Sequence, residues 1–304
     1  MSDADAFLEA IHAAPDDDAP RLVFADWLDE HGQSDRAEFI RVQIEMRRER
    51  ERNERITPRL DELFLREKEL FHRPWAETGR RVGARVLGAY TRGFPNWLAL
   101  SAREFVAQGS DINAWTGPQT SVRLDECRGL LGEVARQPSL RYVRSLVISR
   151  QRADDTYTDE DVSGLLQSPY LSGLRELGLD GRGLSAEIGR AIASASSLSS
   201  LESLDLSATL LRSSGIAALA KAAHLKSLRR LVLRNTGMGR RAINALIASP
   251  YLIGLQLLDV NVNPLGPEDL TRLYERFGRE VVRYTAPVLR ADPRRTGGGR
   301  DAPH

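Results

Sequence analysis

Leucines recur along the second half of the chain at a fixed interval. Leu174, Leu201, Leu228 and Leu255 stand 27 residues apart, and each is followed three residues later by another leucine (Leu177, Leu204, Leu231, Leu258). A third apolar residue comes two positions on (Leu179, Leu206, Leu233, Val260), and a fourth stands at the eleventh position (Leu184, Leu211, Met238, Leu265). Leu165, Ile192, Leu219, Leu246 and Leu273 keep the same step, as do Leu171, Leu198, Leu225 and Leu252. Ser168-Pro169-Tyr170-Leu171 returns three periods later as Ser249-Pro250-Tyr251-Leu252. A period of this length marks a repeat architecture, in which each coil has an apolar interior that only a neighbouring coil can cover.

The spacing within a period assigns the local structure. Residues two apart point to the same side of an extended segment, so the fourth and sixth positions form the inner face of a short strand. The eleventh-position residue turns inward after that strand. The chain then returns as a helix: Ile216, Leu219, Ala220 and Ala223 fall at i, i+3, i+4 and i+7, one apolar stripe. Stacked coils would pair their strands into a parallel sheet. Val143 to Ile148 has the same strand pattern but lies 31 residues before the Leu174 coil. Its four extra residues fall within the polar stretch from Ser149 to Asp161, around Asp154-Asp155. Val122 to Leu124 and Trp97 to Leu100 are degenerate strands of the same kind, and Val281 to Tyr284 closes the far end. Over about residues 120–285, and in weaker form from 93, the motif L-x-x-L-x-L-x-x-x-x-L resembles leucine-rich repeats of the longer, helix-containing, ribonuclease-inhibitor-like type. The resemblance implies an α/β fold, a leucine-rich-repeat solenoid of short parallel strands and helices. A fold of this kind names no function by itself.

Residues 1–46 have a different character. Phe7, Leu8 and Ile11 give a first helix its apolar side, and Pro15-Asp16-Asp17-Asp18-Ala19-Pro20 ends it. A second helix carries Leu22, Val23, Ala25, Trp27 and Leu28, with Asp18 expected as its N-cap and Gly32 as its stop. A third begins near Asp35 with Phe39, Ile40, Val42 and Met46 turned inward. The wording Pro15-Asp16-Asp17-Asp18-Ala19-Pro20-Arg21-Leu22-Val23-Phe24-Ala25-Asp26-Trp27-Leu28, followed by Arg36-Ala37-Glu38-Phe39-Ile40-Arg41, resembles the bacterial repeat-companion domain found ahead of repeat arrays. That resemblance implies no catalytic residue and no cofactor. Residues 47–92 are expected to be a helical linker and cap: the mixed-charge run Arg47 to Arg55 suits a solvated helix, and Leu60, Leu63, Phe64 and Phe71 an amphipathic one. The repeats would then occupy 93–286, followed by a disordered tail over 287–304 around Gly297-Gly298-Gly299.

Composition narrows the chemistry. Lys and Arg total 43 against 42 Asp and Glu, which gives no bulk attraction to nucleic acid or to an anionic membrane. Cys127 is the one cysteine, so an internal disulfide is excluded. The five histidines lack metal-ligand spacing, and the aspartates at 16–18 lack the spaced oxygen ligands of a calcium loop. No cofactor and no metal is expected. The acidic N-terminus and the absence of a long apolar run point to a cytoplasmic protein.

What remains is a surface. The third, fifth and seventh positions of each strand face away from the leucines, onto the concave side of the sheet. These are Glu176, Gly178 and Asp180; Ser203, Asp205 and Ser207; Arg230, Val232 and Arg234; and Leu257, Asp259 and Asn261. Their sign varies from acidic through polar and basic to partly apolar, which favours a protein partner over nucleic acid. The expected function is non-catalytic protein binding. A regulator acting on a partner enzyme is the alternative, and its active element would have to lie in residues 1–92. The oligomeric state is not legible.

Overall fold

A computed structural model describes residues 3–53, 55–71, 85–109, 117–118, 120–150, 156–179, 181 and 183–285. The tail over 287–304, Asp154-Asp155 and Asp180 lie outside them. Among the described residues four helices come first: α1 (Asp3–Ala13), α2 (Ala19–Glu30), α3 (Ser34–Arg52) and α4 (Pro58–Phe71). An antiparallel hairpin follows, β1 (Arg85–Thr91) with β2 (Phe94–Ser101). From β2 onward every pairing is parallel, through β3 (Ser121–Asp125), β4 (Ser145–Ile148), β5 (Glu176–Leu179), β6 (Ser203–Asp205), β7 (Arg230–Val232), β8 (Leu257–Asp259) and β9 (Val282–Arg283). The nine strands form one sheet in strict chain order. Consecutive coils are therefore consecutive in space.

Among the described residues the helices between strands are α5 (Ala102–Ala107), α6 (Leu131–Val134), α7 (Asp159–Leu166), α8 (Ala186–Ser194), α9 (Arg212–Ala220), α10 (Arg240–Ala248) and α11 (Pro267–Phe277). The expected apolar stripe on α9 is one residue too long. The helix ends at Ala220, and Ala223 is an exposed residue that opens a 3-10 turn over Ala223–Ser227. Two helix starts carry capping boxes, Ser101 with Glu104 and Thr158 with Asp161, which satisfy otherwise orphaned backbone donors.

The sheet register turns the leucine ladder into a continuous core. Leu98, Val122, Leu146, Leu177, Leu204, Leu231, Leu258 and Val282 are each other's direct neighbours across the strands. All eight are buried. At about 1.5–3 kcal/mol per buried aliphatic side chain, such a row outweighs any polar pairing in the coil. In the coils that begin at Leu201, Leu228 and Leu255 the ninth position is also buried, yet it is polar. Thr209 Oγ1 donates to Leu206 O (2.6 Å), Thr236 Oγ1 to Leu233 O (3.1 Å), and Asn263 Nδ2 to Leu233 O (2.7 Å) and Val260 O (3.1 Å). Asn263 Oδ1 accepts in return from the backbone N–H groups of Thr236 and Met238, each at 3.1 Å. These side chains meet the backbone groups exposed where the chain leaves the strand. The eighth position makes that bend in the left-handed region: φ is 59° at Ala208, 52° at Asn235 and 60° at Val262.

The N-terminal helices pack on the hairpin end of the sheet. Phe94 of β2 enters a cluster with Leu8, Ile11, Phe24, Leu28, Ile40 and Ile44. The hairpin turns on Arg92 (φ 50°) and Gly93 (φ 88°), the two left-handed residues that a tight type I′ turn requires. A Cβ at residue 93 would collide with Ile40. Gln43 of α3 clamps the turn by accepting from Gly93 N (2.7 Å) and donating to Tyr90 O (3.2 Å). Arg92 is buried and donates to Pro15 O (2.8 Å) and Asp16 O (3.2 Å). Arg21, also buried, donates to Pro15 O (3.0 Å) and Asp17 O (2.7 Å). Burial, with Arg92 nearby, lowers the Arg21 guanidinium to about 10, still cationic at neutral pH.

Three local expectations change here. Asp18 makes no side-chain cap on α2, and its backbone is already helical. Its carboxylate instead faces Arg48 (3.2 Å) and Arg92 (3.4 Å), while Asp17 Oδ1 accepts from Ala19 N (2.9 Å). Helix α3 runs unbroken through the boundary expected at 46/47. Residues Arg85–Thr91, expected within a helical linker, are a strand, because their hydrogen-bonding partner is the neighbouring β2 rather than residues of their own segment.

Candidate functional site

The open face of the sheet consists of the strand residues that alternate with the core leucines. In the first row Trp97, Ser121, Ser145, Glu176, Ser203, Arg230 and Leu257 are adjacent in register. In the second row Ala99, Arg123, Val147, Gly178, Asp205, Val232 and Asp259 follow one another in the same way, ending at Arg283. Ser207, Arg234 and Asn261 come just beyond the strand ends. Backbone bonds carry the alignment past the strands: Ala208 N donates to Arg234 O (2.8 Å) and Asn235 N to Asn261 O (3.0 Å).

Not every polar group on this face is available. Asp205 Oδ1 accepts from Ser207 N (2.9 Å) and Ser207 Oγ (2.6 Å), and two coils later Asp259 Oδ1 accepts from Asn261 N (3.0 Å) and Asn261 Nδ2 (2.7 Å). Both carboxylates are used in local turns of the kind aspartate makes two residues ahead. Asp259 and Val232 are buried as well. The arginines one position earlier are also committed. Arg144 Nη1 donates to Gly173 O (2.8 Å), Arg229 Nη1 to Gly254 O (3.1 Å), and Arg175 Nη1 pairs with Glu202 Oε1 (2.8 Å). Glu176 takes one bond, from Ser145 Oγ at 2.9 Å, and Ser145 in turn accepts from Ser121 Oγ at 2.9 Å. Arg230 and Arg234 are exposed, and their side chains make no hydrogen bond or ion pair with another described residue.

One aromatic joins this surface that the sequence analysis placed only in a degenerate strand. Trp97 is 40% exposed and heads the Glu176 row. The alternation Trp97 out, Leu98 in, Ala99 out, Leu100 in was the available signal. Further along the face, the small residues Ser145 and Gly178 line a hollow of about 750 Å³, bounded by Trp97, Glu176 and Arg230 among others. Its size falls within the range of sites that receive a ligand or a few side chains.

With this geometry in view, the comparison with known families adds one result. A model of the LRR repeats of the FBD-associated F-box protein At5g56370 matches residues 162–268. The chain carries leucine-rich repeats. The matched stretch runs from α7 to the start of α11, the part where the 27-residue period is most regular. No curated protein matches the chain. Among the described residues no helix is long and apolar enough to cross a membrane.

Proposed function

We propose that this chain is a non-catalytic binding protein, a leucine-rich-repeat solenoid whose concave sheet face holds a protein partner. One observation carries the reading. Trp97, Glu176, Arg230 and Arg234 stand on a single face, and the side chains of two cations and an aromatic among them have no hydrogen bond or ion pair with another described residue. Aromatic and arginine side chains are enriched where interfaces gain most of their energy. Variation of sign along the face suits a partner with its own charge pattern better than a uniform polyanion. Ser203, Ser207, Leu257 and Asn261 would form the surrounding contact surface. Asp205 and Asp259 would shape the surface from within their turns. The N-terminal module, in the wording of a bacterial repeat-companion domain, caps the hairpin end of the array, and a cytoplasmic setting fits the single thiol. Because the family match lies inside the repeats, the F-box of the matched protein's description carries nothing over to residues 1–92.

Affinity capture with three forms of the protein tests this. The wild type and a helix-side control, Lys221→Glu, should retain the same partner. The face variant Arg234→Glu/Leu257→Asp should lose it. Equal retention by all three would remove the concave face from consideration.

A further inference from the structure

Resting on that reading, we infer that the hollow between Trp97 and Arg230 is a recognition pocket for a lysine or arginine side chain of the partner, with a carboxylate of the same partner segment bound at Arg230. The charged groups around the hollow divide into two kinds. Glu202, Asp205 and Arg229 are held by Arg175, Ser207 and Gly254. Glu176 and Arg230 have no ion pair, although they lie in one row with only Ser203 between them. Two strand spacings separate their backbones by about 10 Å, and no ion pair spans the serine between them. Each therefore offers its charge outward.

Glu176 is a preorganised acceptor. The Ser121–Ser145–Glu176 chain holds one carboxylate oxygen, Oε2, and leaves Oε1 for an incoming donor. On the far side of the hollow, the exposed ring of Trp97 supplies a π face for the cation and an apolar wall for its methylene stem. Ser145 and Gly178 keep the space between them open. A carboxylate and an indole around one cavity select a cation. A guanidinium about 10 Å further along the row selects an anion by charge-assisted, bidentate hydrogen bonds. The complementary ligand is a peptide segment with a cationic and an acidic side chain on one edge, about 10 Å apart.

A polyproline II peptide has such an edge, because residues i and i+3 share it at about 3.1 Å rise per residue. Fluorescent peptides carrying Lys-Pro-Pro-Glu within a proline-rich flank would be titrated by anisotropy. Parallel peptides would replace Lys by norleucine, replace Glu by Gln, or move Glu to i+6. The wild type should bind the i+3 peptide at least tenfold more tightly than any of the three. Glu176→Gln should erase the lysine preference alone, Arg230→Ala the glutamate preference alone, and Trp97→Ala should weaken every lysine peptide. Unchanged thermal melts would show that these exposed substitutions leave the fold intact. Equal binding of the lysine and norleucine peptides, retention of the lysine preference by Glu176→Gln, or no binding of any peptide to the wild type would overturn the pocket. Arg234 and Leu257 lie outside the hollow. Continued loss of the captured partner in Arg234→Glu/Leu257→Asp would then show that the face still binds and that only the pocket assignment had failed.

Discussion

Two glycines in helices one coil apart should respond in opposite directions to the same substitution. Gly189 lies in α8 where other coils carry Val162, Ile216 and Ile243, and it faces Gly215 of α9. A Cβ at residue 189 would sit 2.6 Å from both Cα and C of Gly215, and closer still to its carbonyl oxygen. All three are backbone atoms of the neighbouring helix, so no rotamer change relieves the clash. Ordinary contact begins near 3.4 Å; the two helices must separate by most of an ångström. A gap of 0.5–1 Å forfeits about a quarter to a half of the dispersion energy along the contact, and overpacking of this kind costs about 1–3 kcal/mol, occasionally more. The better helix propensity of alanine returns about 1 kcal/mol. Gly189→Ala should therefore destabilise by up to about 2 kcal/mol. Gly164 of α7 is exposed, and an added Cβ meets nothing within 4 Å. There the propensity gain is unopposed, and Gly164→Ala should stabilise by about 0.5–1 kcal/mol. Urea unfolding followed by far-UV circular dichroism measures both. Hydrogen exchange should show the loss in Gly189→Ala concentrated in α8 and α9, since each coil contacts only its neighbours. A Gly189→Ala protein as stable as Gly164→Ala would refute the close-approach argument.

Three further outcomes follow from the bends and the junction. Val262 is a β-branched residue held at φ 60° with 63% exposure, so Val262→Gly should raise stability by about 1 kcal/mol by removing backbone strain, read from the melting temperature. Asn263→Ala would strand several buried backbone groups at about 1–3 kcal/mol each, and a total loss of about 3 kcal/mol or more in chemical unfolding is expected; a loss below about 1 kcal/mol would mean that water replaces the amide. Arg92→Ala removes the donors to Pro15 O and Asp16 O and one of the arginines that face Asp18, so limited proteolysis should cut near residues 14–19 several times faster than in the wild type, with the repeats protected as before.

Much of this molecule was legible before any coordinates. Leucine spacing located β5 to β8 and the inward residues of every regular coil, because the alternation of a strand and the stripe of a helix are short-range geometry. The same reasoning put Glu176, Ser203, Arg230 and Leu257 on one face, where they are adjacent in register. The ninth position escaped it: a buried threonine or asparagine resembles an ordinary loop residue until the carbonyls it serves are known. Asp205 and Asp259 looked like free charges for a similar reason, since the donors that occupy them lie where the chain curls after the strand.

By itself, then, the sequence determined the period, the direction of each strand side chain and the apolar faces of the N-terminal helices. All of these follow from bonding geometry over fewer than a dozen residues. The tertiary structure decided the partners of residues distant along the chain. It brought Trp97 into the row of Glu176 and Arg230 across more than 70 residues, drew Phe94 into the helical module, and set β1 beside β2 where a helix had been expected. It also placed Gly189 against Gly215. Close approach and register are properties of pairs, and a repeating pattern specifies its regular neighbours but leaves its exceptions to packing.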